Sequence, residues 1–386
     1  MRQNSLLIVA VLALMLTSCI KAYDPEIKSQ DAVKFVVSGQ INKGDTVQRI
    51  NISKTSPVSQ PVHFQVSGCT VTIIDDKGNT YNAVDVNNGD YESVIPQSAL
   101  TPGTSFKLNI IMPDGVNIVS DFDQLNECPD IDSVYYTVKS IPSTVPQLVT
   151  QGIQFYLNLD AGDLPCRNFK WEATETWEYH SSYAIEWYYN GKIHHVSPPD
   201  FSKMVCWKTA AVKDVFTLTT KNLVQNKYSQ FPLHFVDNYS TPRLVFGYSL
   251  LVRQYALSEA AFAYWEKVQI NSNQQGGLYE KQPLAINGNM HNVTHPDEEV
   301  LGFFGVTAVT SRRIFVKNVE NLPLEYYKDC ESGTILKEGL KKIPTSLYPA
   351  YLYGGPYGYE DRLIDPTCVD CLRLGGKNVK PDFWPN

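Results

Sequence analysis

With 386 residues, 43% apolar and 19% charged, the chain is long enough for two or three domains with their own cores, and its composition argues against disorder. A net charge of −7 and the lack of any basic run argue against nucleic-acid binding and against a polybasic membrane patch. The aromatic load is high, with 23 Tyr, 16 Phe and 6 Trp, and such residues favour strands and half-wet surfaces, as suits an extracytoplasmic β-protein.

Arg2 precedes an apolar run from Leu6 to Leu16, and Leu16-Thr17-Ser18-Cys19 follows. The run is too short to cross a bilayer as a permanent helix, so it reads as a signal peptide. Its Leu-x-Ser-Cys ending resembles the lipobox of bacterial lipoproteins. The resemblance implies that residues 1–18 are removed, that Cys19 is acylated and that residues 19–31 form a polar tether. Two or more acyl chains, at about 0.8 kcal/mol per buried methylene, hold a protein on a membrane where one does not. Ile20 is not the aspartate that retains some lipoproteins in the inner membrane, which points to the outer membrane. Asp24 and Glu26 resemble surface-export signals of Bacteroidota lipoproteins. Beyond the signal, no apolar stretch approaches the roughly 18 residues of a spanning helix.

Residues 32–127 read as a small antiparallel β-domain. Val33, Phe35 and Val37 alternate with Lys34, Val36 and Ser38, the two-residue period of a half-buried strand. Further strands are expected over Gln48–Ile52, Thr70–Ile74, Thr80–Val86, Asp90–Val94 and Ser105–Ile111. The stretch Asp75-Asp76-Lys77-Gly78-Asn79 is hairpin chemistry, because glycine and asparagine accept positive φ cheaply. Turn signals at Asn88-Gly89, Pro102-Gly103 and Asp114-Gly115 complete the pattern of a β-sandwich. The segment from Pro102 to Ile110 resembles the end of carboxypeptidase-regulatory and other immunoglobulin-like domains.

The pattern restarts near Cys128, so residues 128–386 are assigned to a larger β-rich domain. Strands are expected over Val134–Val138, Gln151–Leu159, Asn168–Thr176, Leu218–Thr219, Arg243–Gln254, Gly302–Ala308 and Arg313–Asn318. One amphipathic helix is predicted near 258–272. Ser258 is its N-cap, Glu259 sits in the first turn, and Leu257, Ala261, Tyr264/Trp265 and Val268 share a face. After Asn318 the chain reads as polar turns and a Pro/Gly/Tyr-rich tail.

Beyond Cys19, seven cysteines remain, and an exported chain can oxidise them. Cys368-Val-Asp-Cys371 lacks the strand-to-helix setting of a redox motif, and no second CxxC or CxxH completes a zinc site. A structural bridge from Cys330 to Cys368 or to Cys371, tying the tail to the domain, is the better reading.

Catalytic signatures are sparse. His291 and His295 stand four apart with Asp297, Glu298 and Glu299 beyond, which on a helix would offer two metal ligands on one face. Pro296 and Gly288 place them in a loop instead, so they are weak metal candidates and His291 is expected to be a hydrogen-bonded structural residue. His194 and His195 follow the hairpin signal Asn190-Gly191, and adjacent strand residues face opposite sides. Glu172, Glu175 and Glu178 read as a solvated or partner-facing strand with Glu175 on the opposite side. There is no nucleophile elbow and no phosphate-binding glycine loop. No cofactor is implied.

The lipobox, the strand Lys34-Phe35-Val36-Val37-Ser38-Gly39 and the motif Lys54-Thr55-Ser56-Pro57 begin an ordered series. Trp171-Glu172, Glu175-Thr176-Trp177-Glu178, Cys206-Trp207-Lys208-Thr209 and Tyr255-Ala-Leu-Ser-Glu259 follow. Gly288-Asn289-Met290-His291, Leu301-Gly302-Phe303-Phe304 and the tail from Cys368 to Trp384 complete it. Together they resemble the Bacteroidota lipoprotein family known as domain of unknown function 4249. That family supplies no catalytic residues to carry over, and His295 stands where its members more often have Asn or Asp. The family resembles cell-envelope lipoproteins encoded beside TonB-dependent outer-membrane transporters. This implies a non-enzymatic binding or accessory subunit at the cell surface, anchored in the outer membrane and partnered by such a transporter. Its ligand would be a small molecule, glycan or peptide. The alternatives are a surface hydrolase acting on glycans or peptides and an adhesion or structural module.

Overall fold

The structure is a computed structural model that describes residues 33–56, 62–142, 149–273, 286–324, 326, 328, 330–334, 337–355 and 358–385. The lipobox residues Leu16 to Cys19 and the tether 19–31 lie outside the described residues. The described chain is mostly β, and no helix in it is long and apolar enough to cross a membrane.

Alternating side chains set the first sheet. Val37 and Ile41 on Phe35–Lys43, and Ile50 and Ile52 on Gln48–Lys54, are buried with the two-residue period of the pleat. Pairing continues from Gln48–Lys54 through Asp90–Ser93, Thr80–Asp85, Thr70–Asp75, Ser105–Ile111 and Asn117–Ser120 to Met290–Asn292. The hairpin after Asp75 forms as its residues predict. The Asp75 carboxylate accepts the backbone N–H groups of Lys77 (3.0 Å) and Asn79 (2.8 Å), and Gly78 adopts φ 85°. These strands enclose one core that includes Val71, Phe106, Leu108 and Ile118.

That core also takes Met290, Phe304 and Val306 from far along the chain. Strand Leu301–Val316 is the reason. Its first half pairs parallel with Phe35–Lys43, and its second half pairs antiparallel with Gly247–Ala256. The sequence reads here as two strands, Gly302–Ala308 and Arg313–Asn318. The chain instead runs straight through, since the polar side chains of Thr310 and Arg312 are satisfied by the backbone of the segment 129–131. Thr310 donates to the Pro129 carbonyl at 2.8 Å and Arg312 to the Ile131 carbonyl at 2.9 Å.

The motif residues around 288 and 302 serve this junction. The Asn289 amide donates to the Phe304 carbonyl (2.8 Å) and its oxygen accepts the Phe304 N–H (2.9 Å), standing in for a neighbouring strand. Asp123 accepts the Val306 N–H at 2.7 Å. Gly302 has φ 100°, and a Cβ there would lie 1.9 Å from the Val37 carbonyl oxygen.

The second core lies between Asn168–His180 with its neighbours Val205–Ala211 and Gly247–Ala256, and a three-stranded sheet of Ser133–Pro142, Val149–Asp160 and Lys227–Asp237. Phe155, Leu157, Trp171, Tyr248 and Val252 fill it. The strand expected from Arg243 begins at Gly247, because Pro242 opens a short 3-10 turn, Pro242–Leu244, ahead of it. Strands Val205–Ala211 and Lys227–Asp237 gave no clear sequence signal.

After Asn318, where polar turns were expected, a small sheet appears. It joins Ile193–Asp200, Ile185–Tyr189, Ala350–Gly355, Gly358–Ile364 and Glu331–Thr334 in that order, over a core with Tyr351, Cys368 and Val369. These strands are short, interrupted by glycines and irregular in register, so periodicity does not reveal them.

The helix is Glu259–Asn273. Ser258 Oγ accepts the Ala261 N–H at 3.1 Å, the N-cap bond the sequence implied. Ala261 and Phe262 are buried against Tyr255, Leu257 and Phe303, while Tyr264 and Trp265 stay half-buried.

Candidate functional site

The tail is held by a double clasp. Cys368 bonds Cys330, and Cys371 bonds Cys206 on Val205–Ala211, each pair with Cα atoms 5.8 Å apart. The first bond lies within the small sheet and its core; the second ties the tail to the edge of the large one. Both cysteines of the Cys-x-x-Cys run sit in 3-10 turns capped by acids. Asp365 accepts the Thr367 N–H (2.8 Å), and Asp370 accepts the Leu372 N–H (3.1 Å). Asp370 is buried, and its second oxygen faces the Lys203 ammonium (3.2 Å) and the Tyr351 hydroxyl (3.4 Å). Burial and that carboxylate push the Tyr351 phenol up to about 12. Cys206 was not a sequence candidate, and a separation of 165 residues offers no spacing rule to find it. Cys69, Cys128 and Cys166 are free, and burial raises all three thiols, Cys166 to about 11.

The three glutamates of Asn168–His180 divide by the pleat, but the reading of all three as solvated is corrected for Glu175. Glu175 points into the sandwich core, where the Tyr248 hydroxyl donates to it at 3.1 Å. Arg243 lies 3.3 Å from its other oxygen and His234 3.5 Å away. Arg243 also sits over the Trp177 ring, 5.3 Å from its centroid. Burial and the Glu175 charge raise the Tyr248 phenol well above its usual range. A charge can sit in this core because residues distant in sequence converge to compensate it. Glu178 pairs with His180 at 2.8 Å.

Glu172 faces the helix and anchors the second network. The Lys170 ammonium, 1% exposed, lies 2.7 Å from one Glu172 oxygen, and the Tyr255 hydroxyl donates to the other at 2.6 Å. Lys170 also sits 3.8 Å from the Trp265 ring centroid. Burial opposes the Glu172 charge, but the Lys170 ammonium, the Tyr255 hydroxyl and Arg253 together outweigh it and hold the carboxyl below its usual value. Burial lowers Lys170 and, with the adjacent carboxylate, raises Tyr255. Outward of this network lies a cleft of about 310 Å³ between the helix and strands Phe35–Lys43 and Gln48–Lys54. Trp265, Tyr264 and Glu172 form one wall, and Gln40, Asn51 and Asp90 the other.

The histidines do not converge. His291 lies on Met290–Asn292, exposed, with its Nε2 3.0 Å from Asp121. The His295 N–H donates to the Asn292 side chain in the following turn. His194 stacks on Tyr188 and His195 on Trp187, ring centroids 4.7 Å and 4.0 Å apart, on opposite sides of their strand. Among the described residues, no group of three or more His, Cys, Asp or Glu side chains could hold a metal ion.

No curated protein matches the chain. A family model described as Domain of unknown function (DUF4249) matches residues 20–313. The match takes in the helix and most of the strands that form the two large cores, including the junction motifs at 288–289 and 301–304; the Cys368–Cys371 tail lies beyond it. On that match, covering well over half of its length, the chain belongs to the DUF4249 family.

Proposed function

We propose that the protein is an outer-membrane lipoprotein that serves a TonB-dependent transporter as a non-enzymatic binding or accessory subunit in nutrient capture. The observation that carries this reading is the apolar run ending in Leu16-Thr17-Ser18-Cys19, which supplies a signal and a lipid-bearing cysteine. Two further features support it. Lys170 is paired with Glu172 and Glu175 with Arg243 inside the fold, as expected of a scaffold. The disulfide clasp ties the tail to two sheets, which suits a body working in an oxidising compartment.

Two measurements test it. Radiolabelled palmitate should enter the wild-type chain and be lost in Cys19→Ala, with the variant leaving the membrane fraction. Purification from outer membranes in mild detergent should recover a TonB-dependent transporter with the tagged protein. Recovery of the acylated protein alone would refute the partnership while leaving the anchor intact.

A further inference from the structure

The cleft beside the helix has the chemistry of a saccharide site, and we infer that it binds one ring of a neutral sugar. This inference rests on the reading of the protein as a capture subunit. Tyr264 and Trp265 line the cleft with half-buried rings that are each braced by a neighbour. Tyr264 stacks on Phe303 at 4.9 Å, and Trp265 lies over the Lys170 ammonium. Rings braced in this way lose little freedom when an apolar C–H face packs against them. Hydroxyl acceptors flank them. Glu172 is fixed from behind by Lys170 and Tyr255, yet its side chain is 52% exposed, and a carboxylate has capacity for about four hydrogen bonds. Across the cleft, Asp90 is oriented by the Asn51 amide at 2.7 Å, and the Gln40 side chain is held by its bond to Asn42.

Charge decides between a sugar and an organic cation, which aromatic rings and carboxylates could also attract. The Trp265 ring already holds an ammonium, Lys170. Glu172 is compensated by that same group and by Arg253 on the paired strand, and Arg49 at the rim is paired with Glu92 at 2.9 Å. A second cation would meet the first across one indole. Neutral hydroxyls meet no such repulsion. The volume, about 310 Å³, sits at the small end of ligand sites and suits a single ring with the rest of a chain outside.

The test uses the full-length protein in detergent, probed with glucose, galactose, mannose, xylose, N-acetylglucosamine and their trisaccharides, read by saturation-transfer NMR and tryptophan fluorescence. Saturable binding is expected, changing less than about twofold between low and high salt. Trp265→Ala should weaken it at least about tenfold, with Trp265→Phe restoring part. Because Trp265 also covers Lys170, the rim variant Asp90→Ala serves as a second arm and should weaken binding by about fivefold without altering the melting curve. Three results would overturn the inference: no sugar binds, the folded variants bind as tightly as wild type, or tetramethylammonium displaces the sugars. A transporter that co-purifies with a protein that binds no sugar would remove this inference and leave the accessory role standing. Sugar binding without a transporter would do the reverse.

Discussion

Replacing Asp123 by asparagine isolates one charge at the junction of the two sandwiches. The residue is 3% exposed, and its carboxylate accepts the Val306 N–H at 2.7 Å on the strand that joins the two halves of the large sheet. Burial outweighs its hydrogen bonds and pushes its carboxyl up to about 6 from an ordinary 3.8. Between those values the folded chain holds a proton that the unfolded chain has released. Stability from this group therefore falls as pH rises from about 4 to about 6, and stays lower above. A rise of about two units, at about 1.4 kcal/mol each, corresponds to roughly 3 kcal/mol. Asparagine keeps a carbonyl oxygen for the Val306 N–H and carries no charge. Allowing about 1 kcal/mol for the weaker neutral acceptor, Asp123→Asn should be more stable than wild type by about 2 kcal/mol at pH 7.5. At pH 4 the difference should vanish or reverse. Urea unfolding followed by tryptophan fluorescence, on both proteins from pH 4 to 8, measures this directly. A difference constant across that range, or one that grows toward acid, would refute the reasoning.

Three other outcomes follow from the same geometry. Cys206→Ser with Cys371→Ser opens a link across 165 residues, and the chain-entropy relation puts its worth at about 5 kcal/mol at most. The expected signs are a lower urea midpoint and early proteolysis of the tail; unchanged proteolysis would show that packing alone holds it. Glu175→Gln strips the carboxylate from Arg243 and His234 and should cost about 2–3 kcal/mol, the low end for a buried pair because Arg243 is 26% exposed. Thermal melts that coincide with wild type would contradict that. Gly302→Ala forces a side chain against the Val37 carbonyl at a positive φ and should abolish soluble expression, whereas a soluble variant with native circular dichroism would show that the junction can shift.

Local features were legible where chemistry and position coincide within a few residues. The Ser258 cap, the Asp75 hairpin and the alternation of Phe35–Lys43 each arise from neighbours along the chain. The opposed faces of His194 and His195 follow from the pleat alone. Legibility failed where a polar residue finds its partner far away. Glu175 reads as a surface residue until Tyr248, Arg243 and His234 close around it, and Lys170 is concealed by Trp265 in the same way.

By itself the sequence determined the β class, the helix and its cap, and the family, because these depend on short-range period and on residue order. Only the tertiary structure decided that Leu301–Val316 is one strand joining the two halves of the large sheet, and that the cysteines pair 206 with 371 and 330 with 368. It also decided that helix, first sheet and second sandwich meet around a cleft. The physical reason is the same in each case: these contacts join residues far apart in the chain, and no local pattern encodes which distant group will satisfy a buried charge, a thiol or a strand edge.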